Sequence, residues 1–394
     1  MERIRIPDYE FSERVKKIQA LMKERGVDLM FAVGNEAEPH FVRYLSDYWP
    51  SFESGAVVFA QKGDPILLIG PEALTYAADR SRIKDIRRVK CLRETSDPEY
   101  PGETLEKLED IFSELIDGKL ETVGIAGYNL ITKLIYDDVA EAAKKLSDGK
   151  AKIISADRLV MEVRKIKSEN EIACLREAGR ITHAAMRFMI ENIKPGMTEQ
   201  QATGLGSRAA YENGSEADGY VHFVLAGLGS DQAMSRSRAK VIQKEDFVYM
   251  SVGARYEGYT CSIGRPMFFG KPDETLLYGT KMAIEAQALI KEQLFDKNNA
   301  SEVARVYYDH FTKAGLRENL LYGPCHASGL MEGEIPWIES DSDFLLHENM
   351  CFCTDVFLRY KNGYGLRIED SMRVGKTCGD DYTNFPRDIV IKNW

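Results

Sequence analysis

Several things are scarce in this 394-residue sequence, and each scarcity excludes something. Its 7 cysteines are odd in number and show no CxxC spacing, which argues against a zinc ribbon or a disulfide scaffold and for reduced thiols. No apolar run approaches the roughly 18 residues needed to cross a bilayer, so no membrane partner is expected. The opening MERIRIPDYEFSERVKK has no apolar core of a signal peptide, and a cytoplasmic location is expected. Positive charge is in deficit, 52 Lys+Arg against 62 Asp+Glu for a net charge of −10, which argues against nucleic acid as a partner. Solenoid repeats and low-complexity tracts are missing too. What is present, 44% hydrophobic and 29% charged residues with 31 Gly and 13 Pro, is the composition of a globular protein long enough for two or three domains.

The first half reads as alternating helices and strands. Val15, Ile18, Leu21 and Met22 recur at helical spacing, and Gly26 follows as a stop. VDLMFAV has strand length, and GAVVFA and PILLIG flank QKGD, a hairpin turning at Gly63-Asp64. A helix over about 102–117 and the strand TVGIAG complete an α/β pattern. A boundary is expected at 155–168, where DRLVMEVRKIKSENEI enters a long helix that ends before Pro195-Gly196. Thr198 then caps a second helix. Strand signals follow at FVLAG, DFVYMSVGA and GRPMFFG, helical ones at 274–296 and 301–315, and strand signals again from NMCFCTDVFL through GLRIEDSMRV.

Only 6 histidines exist. His40, His183, His310 and His347 read as structural or surface groups, whereas His222 in YVHFVLAG stands where a strand residue can face a pocket. His326 lies in YGPCHASGLMEGE, a loop punctuated by Gly and Pro and followed by Glu332 and Glu334, the setting in which catalytic groups are commonly held. Asp355 and Glu369 sit inside apolar strands, where an acid is costly unless paired, metal-bound or poised for proton transfer. Cys351 and Cys353 share a strand face with Asp355 and read as small buried apolar residues. Cys325 adjoins His326, but neighbours in an extended segment point apart, so no Cys–His nucleophile is expected.

RKIKSENEIACLREAGRI, IKPGMTEQQ, VIQKEDFVYMSVGARYEGYTCSIGRPMFFG, CHASGL, ENMCFCTD and GLRIEDSMRV together resemble the pita-bread superfamily of creatinase, aminopeptidase P, prolidase and methionine aminopeptidase. The resemblance covers about 165–375, and the first half resembles the small N-terminal domain of creatinase, prolidase and aminopeptidase P. It implies an α/β (α+β) chain, with a creatinase/prolidase-like domain at 1–158 and a pita-bread catalytic domain at 159–394. It also implies a homodimer acting on a small molecule, with Asp47, Trp49 and Glu53 near a shared pocket.

Metallopeptidases of this superfamily hold two divalent ions with two Asp, one His and two Glu. Those positions fall here at Ser251, Ser262, His326, Asp355 and Glu369, and the family's second loop histidine at Gly333. Two divalent ions bring four positive charges, and two carboxylates with two serine hydroxyls answer them poorly. The resemblance therefore implies a degenerate site and no metal cofactor. Creatinase, which works without metal, is also imperfectly matched: its histidine falls at Met234, its glutamates at Gly264 and Asp355, and Glu53 stands where its substrate-gripping arginine would be. An acid there suits a substrate with a cationic end.

The reading is a creatinase-like, metal-independent hydrolase of a C–N bond in a small nitrogenous metabolite. His326, Glu334, Asp355 and Glu369 are its acid/base groups, and His222, Met234, Ser251, Ser262, Arg265, Arg367 and Glu53 its substrate contacts. The alternatives are an Xaa-Pro aminopeptidase or dipeptidase with one ion at His326, Asp355 and Glu369, and a non-catalytic ligand-binding protein. Elimination chemistry, to which the fold has been turned in a sulfonium lyase, is a further possibility.

Overall fold

A computed structural model describes residues 3–96 and 98–393. The chain forms two compact units, residues 7–164 and residues 165–393 joined by 3–6. The division falls at 164/165 rather than at the expected 158/159, because the helix Asp157–Arg164 stays with the first unit.

The N-terminal unit contains α1 (Asp8–Arg25), β1 (Leu29–Gly34), α2 (His40–Ser46), β2 (Gly55–Ala60), β3 (Ile66–Ile69), α3 (Leu74–Arg80) and β4 (Ile86–Arg88). It continues with α4 (Leu108–Leu115), β5 (Thr122–Ala126), α5 (Lys133–Leu146), β6 (Lys152–Ser155) and α6 (Asp157–Arg164). Asp8 and Glu10 occupy the first turn of α1, where acids complement the helix dipole. Gly26 ends the helix in the left-handed region at φ 67°, a conformation glycine adopts without penalty, and its N–H returns to Met22 O. The strands form one mixed sheet in the order β4-β3-β2-β1-β5-β6. β2 and β3 pair as the antiparallel hairpin expected, and β1, β5 and β6 run parallel. β1 and β2 are buried along their whole length.

The C-terminal unit opens with α7 (Glu169–Asn192) and α8 (Glu199–Glu212), each begun by a reciprocal capping box, Ser168 with Glu171 and Thr198 with Gln201. β7 (Ala217–Asp218), β8 (Phe223–Ala226), β9 (Phe247–Tyr256) and β10 (Tyr259–Phe269) follow, then α9 (Glu274–Gln293) and α10 (Ala300–Lys313). β11 (Cys325–Ala327), β12 (Glu334–Ile338), β13 (Cys351–Arg359), β14 (Gly365–Arg373), β15 (Asp380–Asp381) and β16 (Val390–Lys392) complete it. One sheet runs β12-β11-β13-β14-β10-β9-β7, with β8 on β9, β15 on β14 and β16 on β10. α7 packs on β9 and β10, and α9 on β13 and β14. β9, β10, β13 and β14 are almost wholly buried, which explains why they read as near-continuous apolar runs. Among the described residues, no helix is long and apolar enough to cross a membrane.

Candidate functional site

Strand alternation decides which residues meet. In β13 the Thr354 hydroxyl bonds Gln287 of α9 at 2.6 Å, so Cys353 and Asp355 point to the other face of the sheet. The antiparallel register sets Asp355 opposite Glu369, Glu369 opposite Gly264, Gly264 opposite Ser251, and His326 opposite Cys353. Five strands thus deliver Ser251, Ser262, His326, Cys353, Asp355, Arg367 and Glu369 to one face. Gly264 makes room for them: a Cβ there would lie 2.7 Å from Arg367 Cγ and 2.8 Å from Glu369 Cβ.

The site has two halves. In the first, His326 Nε2 lies 3.3 Å from Glu332 Oε1, which also accepts the Ser262 hydroxyl at 3.3 Å. The Cys353 thiol donates to Glu369 Oε1 at 3.0 Å. One ligand-type atom from each of His326, Glu332, Cys353 and Glu369 lies within 4.8 Å of the other three. In the second half, Arg367 Nε is ion-paired with Asp355 Oδ1 at 3.0 Å and lies 3.9 Å from Glu369 Oε2. Arg367 Nη2 donates to the Tyr322 hydroxyl (2.8 Å) and to Ala233 O (2.9 Å), and Tyr322 donates to Asp355 Oδ2. Ser251 joins the halves. Its hydroxyl donates to Glu369 Oε2 at 3.2 Å, receives Tyr220 O–H at 2.7 Å and lies 3.4 Å from Arg367 Nη1.

Burial and charge pull these groups apart. Burial opposes the charged form of His326, but Glu332 overrides it and the imidazole is pushed up to about 9. Burial would likewise raise Glu332, yet the His326 charge holds it well below the usual carboxylate range. Glu369 is pushed up, first by burial and then by the Asp355 carboxylate across the register.

Other expected site residues lie elsewhere. Glu334, expected among the acid/base groups, is buried and pairs with Lys167 at 3.6 Å. A register shift between His326 and Ala327 sets it opposite Ala327, on the face away from the imidazole. Glu332, the acid that meets His326, carried no assigned role in the sequence reading, and its position two residues before Glu334 was the available signal. Arg265 is on the opposite face of β10, where it donates to both oxygens of Asp370 at 2.8 and 3.0 Å and to Glu369 O at 2.8 Å. His222 is buried, with Nδ1 3.0 Å from Ser207 Oγ and 3.4 Å from Asp218 Oδ1, and Nε2 2.5 Å from Gly253 O, a fully occupied structural histidine. Met234 is 90% exposed and turned to solvent. Glu53 is buried inside the N-terminal unit, where it accepts the Glu72 N–H at 3.1 Å and is pushed up by burial. Cys325 is buried, its thiol pushed up by burial.

Residues 173–376 match metallopeptidase family M24, and residues 14–166 match the creatinase/prolidase N-terminal domain. The chain belongs to family M24 and to the pita-bread superfamily that its motifs resemble. It is similar to the Xaa-Pro dipeptidase of Pyrococcus horikoshii, 24% identical over 96% of this chain and 99% of that one. It is similar also to the uncharacterized peptidase YqhT of Bacillus subtilis, 23% identical over 96% and 99%. Among solved structures, the prolidase from Pyrococcus horikoshii superposes with a TM-score of 0.80 at 22% identity, covering 96% of this chain and 100% of that chain. The dipeptidase PepE from Mycobacterium ulcerans gives 0.81 at 18%, covering 99% and 100%.

Proposed function

We propose that this protein is a hydrolase cleaving a C–N bond in a short peptide-like substrate, of the dipeptidase kind, with one divalent ion in place of the family's two. Full-length relatives named as Xaa-Pro dipeptidases favour this over the creatinase-like, metal-independent reading that the motifs suggested. The observation that carries it is the convergence of His326, Glu332, Cys353 and Glu369 within 4.8 Å. Three protein ligands with an open position are what a catalytic ion needs, and His326, Glu332 and Glu369 supply them.

A second ion does not fit the residues present. It would meet the Ser251 hydroxyl where a carboxylate is wanted, and Arg367 already neutralises Asp355 at 3.0 Å. A buried guanidinium and a divalent cation a few ångströms apart repel strongly. Asp355 is thereby withdrawn from the ligand set expected from the sequence, and Glu332 takes its place.

An ion held in the first half would polarise an amide carbonyl and lower the pKa of its water. The chain's own groups bind and orient. Arg367, fixed by Asp355, Tyr322 and Ala233 O, is an immobile positive charge beside the reacting centre. The Tyr220–Ser251 hydroxyl chain holds Glu369 Oε2 and fixes that carboxylate's orientation. Trp337 lies against His326 with ring centroids 5.2 Å apart and is 39% exposed, an apolar wall for a substrate side chain or ring.

The test is a panel of dipeptides, Xaa-Pro among them, set beside amidines and ureas, with protein supplied with one equivalent of Zn²⁺, Co²⁺ or Mn²⁺. Release of free amino acids is expected. Turnover of an amidine by chelator-treated protein, with every dipeptide left intact, overturns the proposal.

A further inference from the structure

We propose that Cys353 is a thiolate ligand of this single ion and makes the centre a zinc site. The inference rests on the one-ion reading of the site but not on hydrolysis.

The geometry comes first. Tetrahedral ligands at zinc, with bonds of about 2.0–2.3 Å, stand about 3.3–3.7 Å from one another. His326 Nε2 to Glu332 Oε1 is 3.3 Å, already the spacing of neighbouring ligands, and Cys353 Sγ to Glu369 Oε1 is 3.0 Å, a thiol hydrogen bond that must open by about half an ångström once the thiol proton is replaced by the ion. Cys353 lies directly opposite His326 in the β11–β13 register, which fixes sulfur and imidazole on the same face. Zinc also accepts a fifth ligand, so water can still join four protein donors.

Charge supports the same assignment. Arg367 is shared between Asp355 at 3.0 Å and Glu369 at 3.9 Å, and the cation beside Glu332 is the His326 imidazolium, whose proton is given up when Nε2 coordinates an ion. Buried carboxylate charge is costly unless compensated. A divalent ion cancels the charges of Glu332 and Glu369 and deprotonates a coordinating thiol outright, giving a centre of charge −1.

Ligand softness sets the metal class. A carboxylate-rich set suits Mn²⁺ or Mg²⁺, whereas imidazole with a thiolate selects Zn²⁺ and, as a probe, Co²⁺. Family centres built from Asp, Glu and His have no sulfur donor, so Cys353 distinguishes this chain from them.

The experiment uses the full-length protein, stripped of metal and titrated with Co²⁺. One equivalent is expected, with a sulfur-to-cobalt charge-transfer absorption in the near ultraviolet that Zn²⁺ displaces. Cys353→Ser should lose that absorption and lose at least tenfold of its preference for Zn²⁺ over Mn²⁺. Zinc X-ray absorption on the wild-type protein gives a reading that needs no variant: one sulfur at about 2.3 Å is expected. A shell of nitrogen and oxygen alone, or a cobalt form without the charge-transfer band, overturns the assignment. Zinc bound through sulfur with no dipeptide cleaved would sink the proposed function and leave this inference standing. Dipeptide cleavage by a protein whose ion has no sulfur neighbour would do the reverse.

Discussion

Arg367 lies with its Nε 3.0 Å from Asp355 Oδ1, a buried ion pair on the face that carries the site. Both side chains are shielded from water, so neither charge has a substitute partner in solvent. Removing one member of such a pair typically costs about 3–5 kcal/mol because the other is left buried and uncompensated. Arg367→Met in metal-free protein is therefore expected to lose stability in that range by urea unfolding. Adding Asp355→Asn should recover most of the loss. A single variant within about 1 kcal/mol of wild type would mean that the pair does not hold Asp355 in charge balance.

Glu332 and Glu334 stand two residues apart and face opposite ways, one to His326 and the other to Lys167. Their neutral variants should fail differently. Glu332→Gln is expected to reduce turnover at least about a hundredfold, as loss of a positioned acid/base or metal-holding group does, and the protein that remains folded stays impaired, although metal-free protein also loses the stability that the His326 pair contributes below the raised imidazole pKa. Glu334→Gln leaves Lys167 buried without its partner and should cost about 3–5 kcal/mol, while the protein that remains folded turns over near the wild-type rate. Steady-state kinetics beside unfolding curves separates the two, and an exchange of these outcomes would reverse the assignment of the acids.

That pair also marks where the sequence stops being legible. Helix ends could be read because their signals are local: Gly26 ends α1, and Thr198 begins α8 with Gln201 completing the box. Asp355 and Glu369 could be read as neighbours because strand periodicity and the family motif agree, and the register sets them opposite each other. The acids after His326 could not be sorted, because the choice depends on a register shift at His326/Ala327 that no residue pattern announces. Arg265 and Arg367 looked equivalent beside the same motifs, yet they lie on opposite faces of the sheet, one on Asp370 and one on Asp355. Cys353 looked like a small apolar residue because its significance comes from what lies across the strand.

Met234 gives a test in the opposite direction. Alignment to creatinase places a functional histidine there, but the side chain is 90% exposed. Met234→Ala should change stability by no more than about 0.5 kcal/mol and leave turnover unaltered. A tenfold fall in kcat/KM would show that this loop closes over substrate.

His222 contributes one pH-dependent part of the stability, on the acid side of neutrality. Burial lowers its pKa below the ordinary histidine value, outweighing the attraction of Asp218, the acid that faces it. The unfolded chain then takes up a proton before the folded one does. The contribution of this neutral, buried imidazole to stability is complete above the unfolded value of about 6.5 and is lost as pH falls below it. The slope from this group reaches up to about 1.4 kcal/mol per pH unit on the acid side. His222→Gln, which keeps a side chain able to meet Ser207 and Gly253 O, should be less stable than wild type at pH 7.5. Its stability should also fall less steeply between pH 6.5 and 5. Urea midpoints across that interval check the sign, and parallel profiles for the two proteins would assign the acid sensitivity to other groups.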